Sequence, residues 1–223
     1  MNEQDFQKVI HGGTVIKARK ETGAHILDFS ASINPYPPQL PLSISRDDLS
    51  EYPDDSYSEL KTVIATRYRV SLGEITLGNG SIEVLRTFCH ALLSPGDRVG
   101  ITSPTFGEYE FSSRLAGAVV GSGANVKVRF ICNPNNPTGH LLAREEICAL
   151  LENCVDPGAV LFLDEAFMEI SDDPTQGLAG TIHPNLFVLR SLTKSFSVPG
   201  IRFGYGIGHA DLVARLELFR PPW

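Results

Sequence analysis

The sequence predicts an α/β protein built on a mainly parallel sheet with helices on both faces, and three observations carry that reading. Short apolar, β-rich runs alternate with runs of helical period along most of the chain. Residues 159–163 (Ala-Val-Leu-Phe-Leu) are continuously apolar, as a strand covered on both faces must be. Four loops just past expected strands, at 78–81, 133–139, 164–167 and 191–194, concentrate Gly, Asn, Ser, Asp or Lys. Ligands of such sheets bind there, outside the carboxyl ends of the strands.

The elements follow in order. Residues 74–77 read as a short strand, and 81–93 as a helix with Ile82, Leu85, Phe88, Cys89 and Leu92 on one face. A strand is expected at 97–101 and a helix at 106–116. The strand at 127–132 leads through a turn to a helix at 143–154. After the apolar strand at 159–163 come strands at 185–190 and 203–208, then a last helix at 211–219. The proline-rich stretch 34–42 reads as an ordered arm or linker.

Composition bounds the rest. At 223 residues the chain allows one large domain with a small appendage, on a norm of about 100–200 residues per domain. Hydrophobic residues make up 42% and charged residues 20%, ordinary for a soluble protein with a real core. A net charge of -7 argues against nucleic acid or an anionic membrane as the main partner. No apolar run approaches the roughly 18 residues that span a bilayer. Residues 1–9 lack the apolar core of a signal peptide. Cys89, Cys132, Cys148 and Cys154 form no CxxC pair and no metal-like spacing, so they read as reduced structural thiols in a cytoplasmic protein.

Four constellations could carry chemistry. Lys194, in Ser-Leu-Thr-Lys-Ser-Phe-Ser after an apolar strand, can lose solvent there, which lowers its pKa and frees the amine to attack an aldehyde. Taken alone it reads more readily as a solvated surface lysine. Arg202 follows eight residues on, and its planar fork suits phosphate. Leu77-Gly78-Asn79-Gly80-Ser81 opens a helix straight after a strand, either as an anion site or as a plain capped turn. Asp164 ends the buried strand and needs a partner, either a protonated pyridine nitrogen or an ordinary cap or ion pair. Asn133-Pro-Asn-Asn-Pro-Thr-Gly139 can aim an amide at a ligand, or form a proline-rich turn.

Together these are far more specific. The series GNGS, SPTFGEY, NPNNPTG, DEAF and SLTKSFSVPGIRFGY resembles the fold-type-I pyridoxal-phosphate enzymes of the aspartate-aminotransferase superfamily, over nearly the whole chain. The resemblance implies an aspartate-aminotransferase-like large domain over 46–223, with residues 1–45 as an N-terminal arm and part of a small domain. It implies Lys194 as the Schiff-base lysine, Asp164 on the pyridine nitrogen and Asn136 on the phenolic oxygen. Ser191, Arg202, Gly80 and Ser81 would grip the cofactor phosphate. Phe106 is the favoured aromatic to stack on the ring, with Tyr109 as the alternative.

The N-terminal part narrows the branch. His11-Gly12-Gly13 and Leu-Asp-Phe-Ser-Ala-Ser-Ile-Asn-Pro at 27–35 look like the threonine-phosphate decarboxylases of cobalamin synthesis, relatives of histidinol-phosphate aminotransferases. By that likeness His11, Gly12, Ser32 and Asn136 meet a small phosphorylated amino-acid substrate, although Ser32 stands where Asn is expected. His11 reads otherwise as a surface histidine near a terminus. Tyr52 resembles the tyrosine that reaches the neighbouring subunit's cofactor phosphate, which implies a homodimer. Phe167 stands where such aminotransferases carry tyrosine, which favours decarboxylation of O-phospho-L-threonine over transamination. In the first reaction Lys194 or a water returns a proton to the α-carbon, and in the second Lys194 removes it. Relatives continue past Arg-Pro-Pro-Trp223 into a small C-terminal domain that this sequence lacks, and the stretch 117–126 is short. The chain as written is therefore expected to bind cofactor and to turn over poorly or not at all, as a truncated homologue would.

Overall fold

A computed structural model describes residues 8–121, 125–153 and 158–222. Among these, the strands β1 (Ile75–Asn79), β2 (Arg98–Ile101), β3 (Val119–Gly121), β4 (Val128–Cys132), β5 (Val160–Asp164), β6 (Leu186–Ser191) and β7 (Phe203–Gly208) form one sheet. Their order is β1-β7-β6-β5-β4-β2-β3. Strand β7 is antiparallel to both of its neighbours and the other pairs are parallel. The predicted mainly parallel α/β class is what the sheet shows.

Side-chain alternation along the strands builds two apolar layers. Phe162 of β5 and Phe187 and Leu189 of β6 point to one side. Leu161 and Leu163, with Val188, point to the other. Buried on both faces, β5 and β6 are apolar almost throughout, which is why 159–163 was legible as a strand.

The helices are α1 (Val15–Thr22), α2 (Asp47–Ser50), α3 (Ser58–Tyr68), α4 (Ser81–Leu92), α5 (Glu108–Leu115), α6 (Arg144–Asn153), α7 (Leu192–Ser195) and α8 (Ala210–Glu217). Helix α4 lays Val84, Leu85, Phe88, Cys89 and Leu92 on the first layer, close to the predicted stripe. Helices α3 and α6 cover the second through Ile64, Ile147 and Leu151.

Several elements depart from expectation. Neither α1 nor α2 buries a residue, and α3 buries only Ile64, so none has the apolar stripe by which a helix is read. Strand β3 is three half-exposed residues, too short for alternation to register. Strand β1 runs on to Asn79, so Gly78 and Asn79 pair with Gly204 and Phe203 rather than forming a loop. Helix α8 stops at Glu217, leaving Leu218 and Phe219 exposed beyond it. Cys89 and Cys132 are buried free thiols, Cys148 is a free thiol at intermediate burial, and burial pushes Cys89 up to about 12. Cys154, Trp223 and residues 122–124 lie outside the described residues. Among those described, no helix is long and apolar enough to cross a membrane.

Candidate active site

Strands β4, β5 and β6 deliver Cys132, Asp164 and Ser191 at their carboxyl ends, with Cys132 directly beside Asp164 in the register. Asp164 is 5% exposed. Its Oδ2 accepts the Tyr109 hydroxyl at 2.7 Å and its Oδ1 accepts the Ala166 N–H at 2.9 Å. Burial holds its carboxyl above the usual range, opposed by the Tyr109 and Ala166 bonds and by the charge of Lys194.

Lys194 lies in the single turn α7, immediately after β6. Burial lowers its pKa, Asp164 opposes that, and Arg202 adds to the lowering. Its Nζ is 5.4 Å from the centroid of the Phe167 ring. The arm fixes this turn from outside. Asn34 N–H donates to the Lys194 carbonyl at 2.9 Å and its Nδ2 to the Ser195 carbonyl at 2.9 Å, while Ser197 Oγ donates to the Asn34 carbonyl.

A cleft of about 470 Å³ opens above Lys194, lined among others by His11, Gly12, Ser32, Phe106, Asn136 and Phe167. Asn136 is free to face it because its neighbours are spent on the loop. Asn133 exchanges hydrogen bonds with Leu142, and Asn135 donates to the Pro104 carbonyl and Thr138 and accepts from Thr105. Phe106 meets Tyr109 edge-on, with centroids 5.5 Å apart, and stands 5.8 Å from the His11 ring. Tyr109 is 0% exposed, stacks on Phe130 at 5.4 Å and spends its hydroxyl on Asp164, so it presents no face to the cleft.

The second cluster sits where β7 passes the start of α4. Gly80 has φ +88°, and a Cβ there would lie 2.6 Å from Arg202 Nη2, so the guanidinium rests over a backbone only glycine leaves open. A Cβ on Gly204 would lie 2.3 Å from the Ser81 nitrogen, so β7 and the Gly80-Ser81 turn touch through backbone. Ser191 is buried opposite Gly204 and shares a 2.5 Å hydrogen bond with Thr193. Arg202 lines a groove of about 420 Å³ distinct from the Lys194 cleft. Tyr52 is 80% exposed and lines neither.

Three residues escaped the sequence reading: Tyr109 as the donor to Asp164, Asn34 as the clamp on the Lys194 turn, and Glu108, whose Oε1 is 2.8 Å from His11 Nε2. Each depends on contacts 55 to 161 residues apart along the chain, which local pattern does not encode.

Comparison with known proteins bears on the same arrangement. The family model for aminotransferase class I and II matches residues 25–223. A protein of Caldanaerobacter subterraneus subsp. tengcongensis, provisionally named threonine-phosphate decarboxylase, is 35% identical over 91% of this chain and 63% of its own length. The histidinol-phosphate aminotransferase of Leptospira interrogans is 32% identical over 78% of this chain and 53% of its own. The chain thus spans between half and two thirds of these relatives. Histidinol-phosphate aminotransferase from Sinorhizobium meliloti, solved in complex with pyridoxal-5'-phosphate, shares the fold with a TM-score of 0.73 at 20% identity, over 79% of this chain and 53% of that one.

Proposed function

This chain belongs to the aminotransferase class I and II family, and from that premise we propose that it decarboxylates O-phospho-L-threonine to (R)-1-aminopropan-2-yl phosphate, with Lys194 as the lysine that bears the cofactor. The cofactor is pyridoxal 5'-phosphate, and the residues present fit it on three counts. Asp164 is a buried carboxylate with two neutral donors and room in its chemistry for a cationic one. Burial lowers the Lys194 pKa, against the pull of Asp164, which is the direction a nucleophilic amine needs. Gly80 lets the Arg202 guanidinium pack directly on the start of α4, a seat that a Cβ would take away.

When bound, the cofactor supplies an electron sink for the pair left on the substrate α-carbon. Asp164 favours a protonated pyridine nitrogen, and Tyr109 keeps that carboxylate oriented. Phe106 gives a face for the ring and Asn136 an amide for its phenolic oxygen. Gly80, Ser81, Ser191 and Arg202 hold the phosphate. His11, Gly12, Ser32 and Asn136 orient the phosphorylated substrate, and Lys194 returns a proton to the α-carbon. Residues 1–45 act as arm and part of a small domain and 46–223 as the cofactor domain, in a cytoplasmic homodimer to which Tyr52 contributes across the subunits.

The observation that carries the choice of reaction is Phe167. Its ring stands 5.4 Å from Lys194 Nζ, and in sequence it takes the place, three residues after Asp164, where the resembling aminotransferases carry tyrosine. The likeness to the Caldanaerobacter protein supports the same branch. Likeness to the Leptospira enzyme favours transamination of histidinol phosphate as the second reading. Incubating the cofactor-loaded chain with O-phosphothreonine, and separately with histidinol phosphate plus 2-oxoglutarate, separates them. Slow carbon dioxide release from the first without glutamate from the second is expected, glutamate formation overturns decarboxylation, and the absence of both products leaves a truncated, non-catalytic cofactor-binding chain.

A further inference from the structure

Glu108 opens α5 yet is only 4% exposed, an uncommon place for a carboxylate. It joins two segments far apart in sequence. Oε1 lies 2.8 Å from His11 Nε2 in the arm, and Oε2 lies 3.4 Å from Arg86 Nη2 on α4. The His11 side chain remains 47% exposed and lines the Lys194 cleft beside Phe106. Its backbone has little freedom to turn away. A Cβ on Gly12 would sit 1.9 Å from the Ser30 carbonyl oxygen, and one on Gly107 would sit 3.2 Å from a Val9 methyl.

A carboxylate can only accept, so His11 gives it Nε2–H, and Nδ1 is the ring atom left for the cleft. Nδ1 then accepts when the ring is neutral and donates when it is protonated. An oxyanion requires the donor. Arg86 Nη2 lies 3.4 Å from the other oxygen, so the carboxyl is held between α4 and the arm.

We propose that Glu108 is a positioning residue for substrate recognition: it fixes His11 through Nε2 so that Nδ1–H meets an oxygen of a phosphate monoester in the Lys194 cleft. This rests on the reading of that cleft as the substrate site. Glu108 itself touches no substrate and acts only through His11.

The test is a titration of the cofactor-loaded full chain with inorganic phosphate, following the ring nitrogens of ¹⁵N-histidine-labelled protein. His11 is identified by its loss in His11→Gln. The expected result is a phosphate-dependent shift at His11 Nδ1 with Nε2 still protonated. Glu108→Gln should weaken phosphate binding about tenfold, the effect of one charge-assisted hydrogen bond, with cofactor affinity unchanged. In a His11→Gln background the Glu108→Gln change should have no further effect on phosphate affinity, a result that loss of packing alone would not give. A His11 ring indifferent to phosphate overturns the proposal, as does a Glu108→Gln effect that persists without His11. Carbon dioxide release by a chain whose His11 ignores phosphate sinks this inference and leaves the proposed reaction standing. A phosphate response that depends on Glu108, in a chain that releases no carbon dioxide, does the reverse.

Discussion

Replacing Gly80 with alanine tests the phosphate end of the site with two separable costs. At φ +88° and ψ 159° this residue occupies backbone space that is essentially reserved for glycine. Forcing a side chain there costs about 1–3 kcal/mol. The new Cβ would also lie 2.6 Å from Arg202 Nη2 and 3.1 Å from its Cζ, so the guanidinium must leave its seat. If that guanidinium holds the cofactor phosphate, one charged hydrogen bond worth about 1.5–3 kcal/mol is lost. At 1.4 kcal/mol per decade this is a drop of about 10- to 150-fold in cofactor affinity. Titrating cofactor into the apo chain, and following the visible absorbance of the lysine-linked form, reads it directly. Gly96→Ala is the matched control, because Gly96 has φ +89° but nothing within 4 Å of the added Cβ. It should lose stability while keeping cofactor affinity. Equal affinity in the two variants would refute the assignment of Arg202 over Gly80 as the phosphate grip.

Two further outcomes concern buried carboxylates. Burial raises the pKa of Glu165 from 4.5 to about 7, against the pull of Arg190 and the Leu178 N–H. The native chain therefore binds this proton more tightly than the unfolded one between those values, so the stability it contributes is full below pH 4.5 and is lost as pH rises through 7. That loss is about 3 kcal/mol, and urea titrations of Glu165→Gln at pH 4.5 and 8 should show a pH slope smaller by that amount. An unchanged slope would place the titration elsewhere. Tyr109→Phe removes a donor that holds the Asp164 pKa down, so Asp164 should rise further and the apo chain should lose more stability as pH climbs. The variant should also bind cofactor about tenfold or more weakly, and wild-type affinity would show that the bond does not orient Asp164.

Where burial is regular the sequence says so: the one-sided stripe of α4 and the continuous apolar run of β5, buried on both faces, are both legible. Helices α1 and α3 are not, since they bury nothing or a single residue and their order comes from contacts rather than periodicity. The site divides the same way. Asp164 ends a strand and Lys194 and Asn136 follow strands, in short segments whose residue types restrict what they can do. The stacking aromatic could not be chosen from Pro-Thr-Phe-Gly-Glu-Tyr, because only two residues lie between Phe106 and Tyr109 and only packing decides which ring faces the cleft. Glu108 reads in sequence as one more solvated acid at a helix start, and only the fold brings the arm over it.

The central claim is that Lys194 carries the cofactor. Borohydride reduction of the cofactor-loaded chain, followed by peptide mass measurement, locates the attachment. The account predicts the mass increment on the peptide containing Lys194, and neither increment nor visible absorbance in Lys194→Ala. A label on another lysine, or undiminished absorbance in Lys194→Ala, would contradict it.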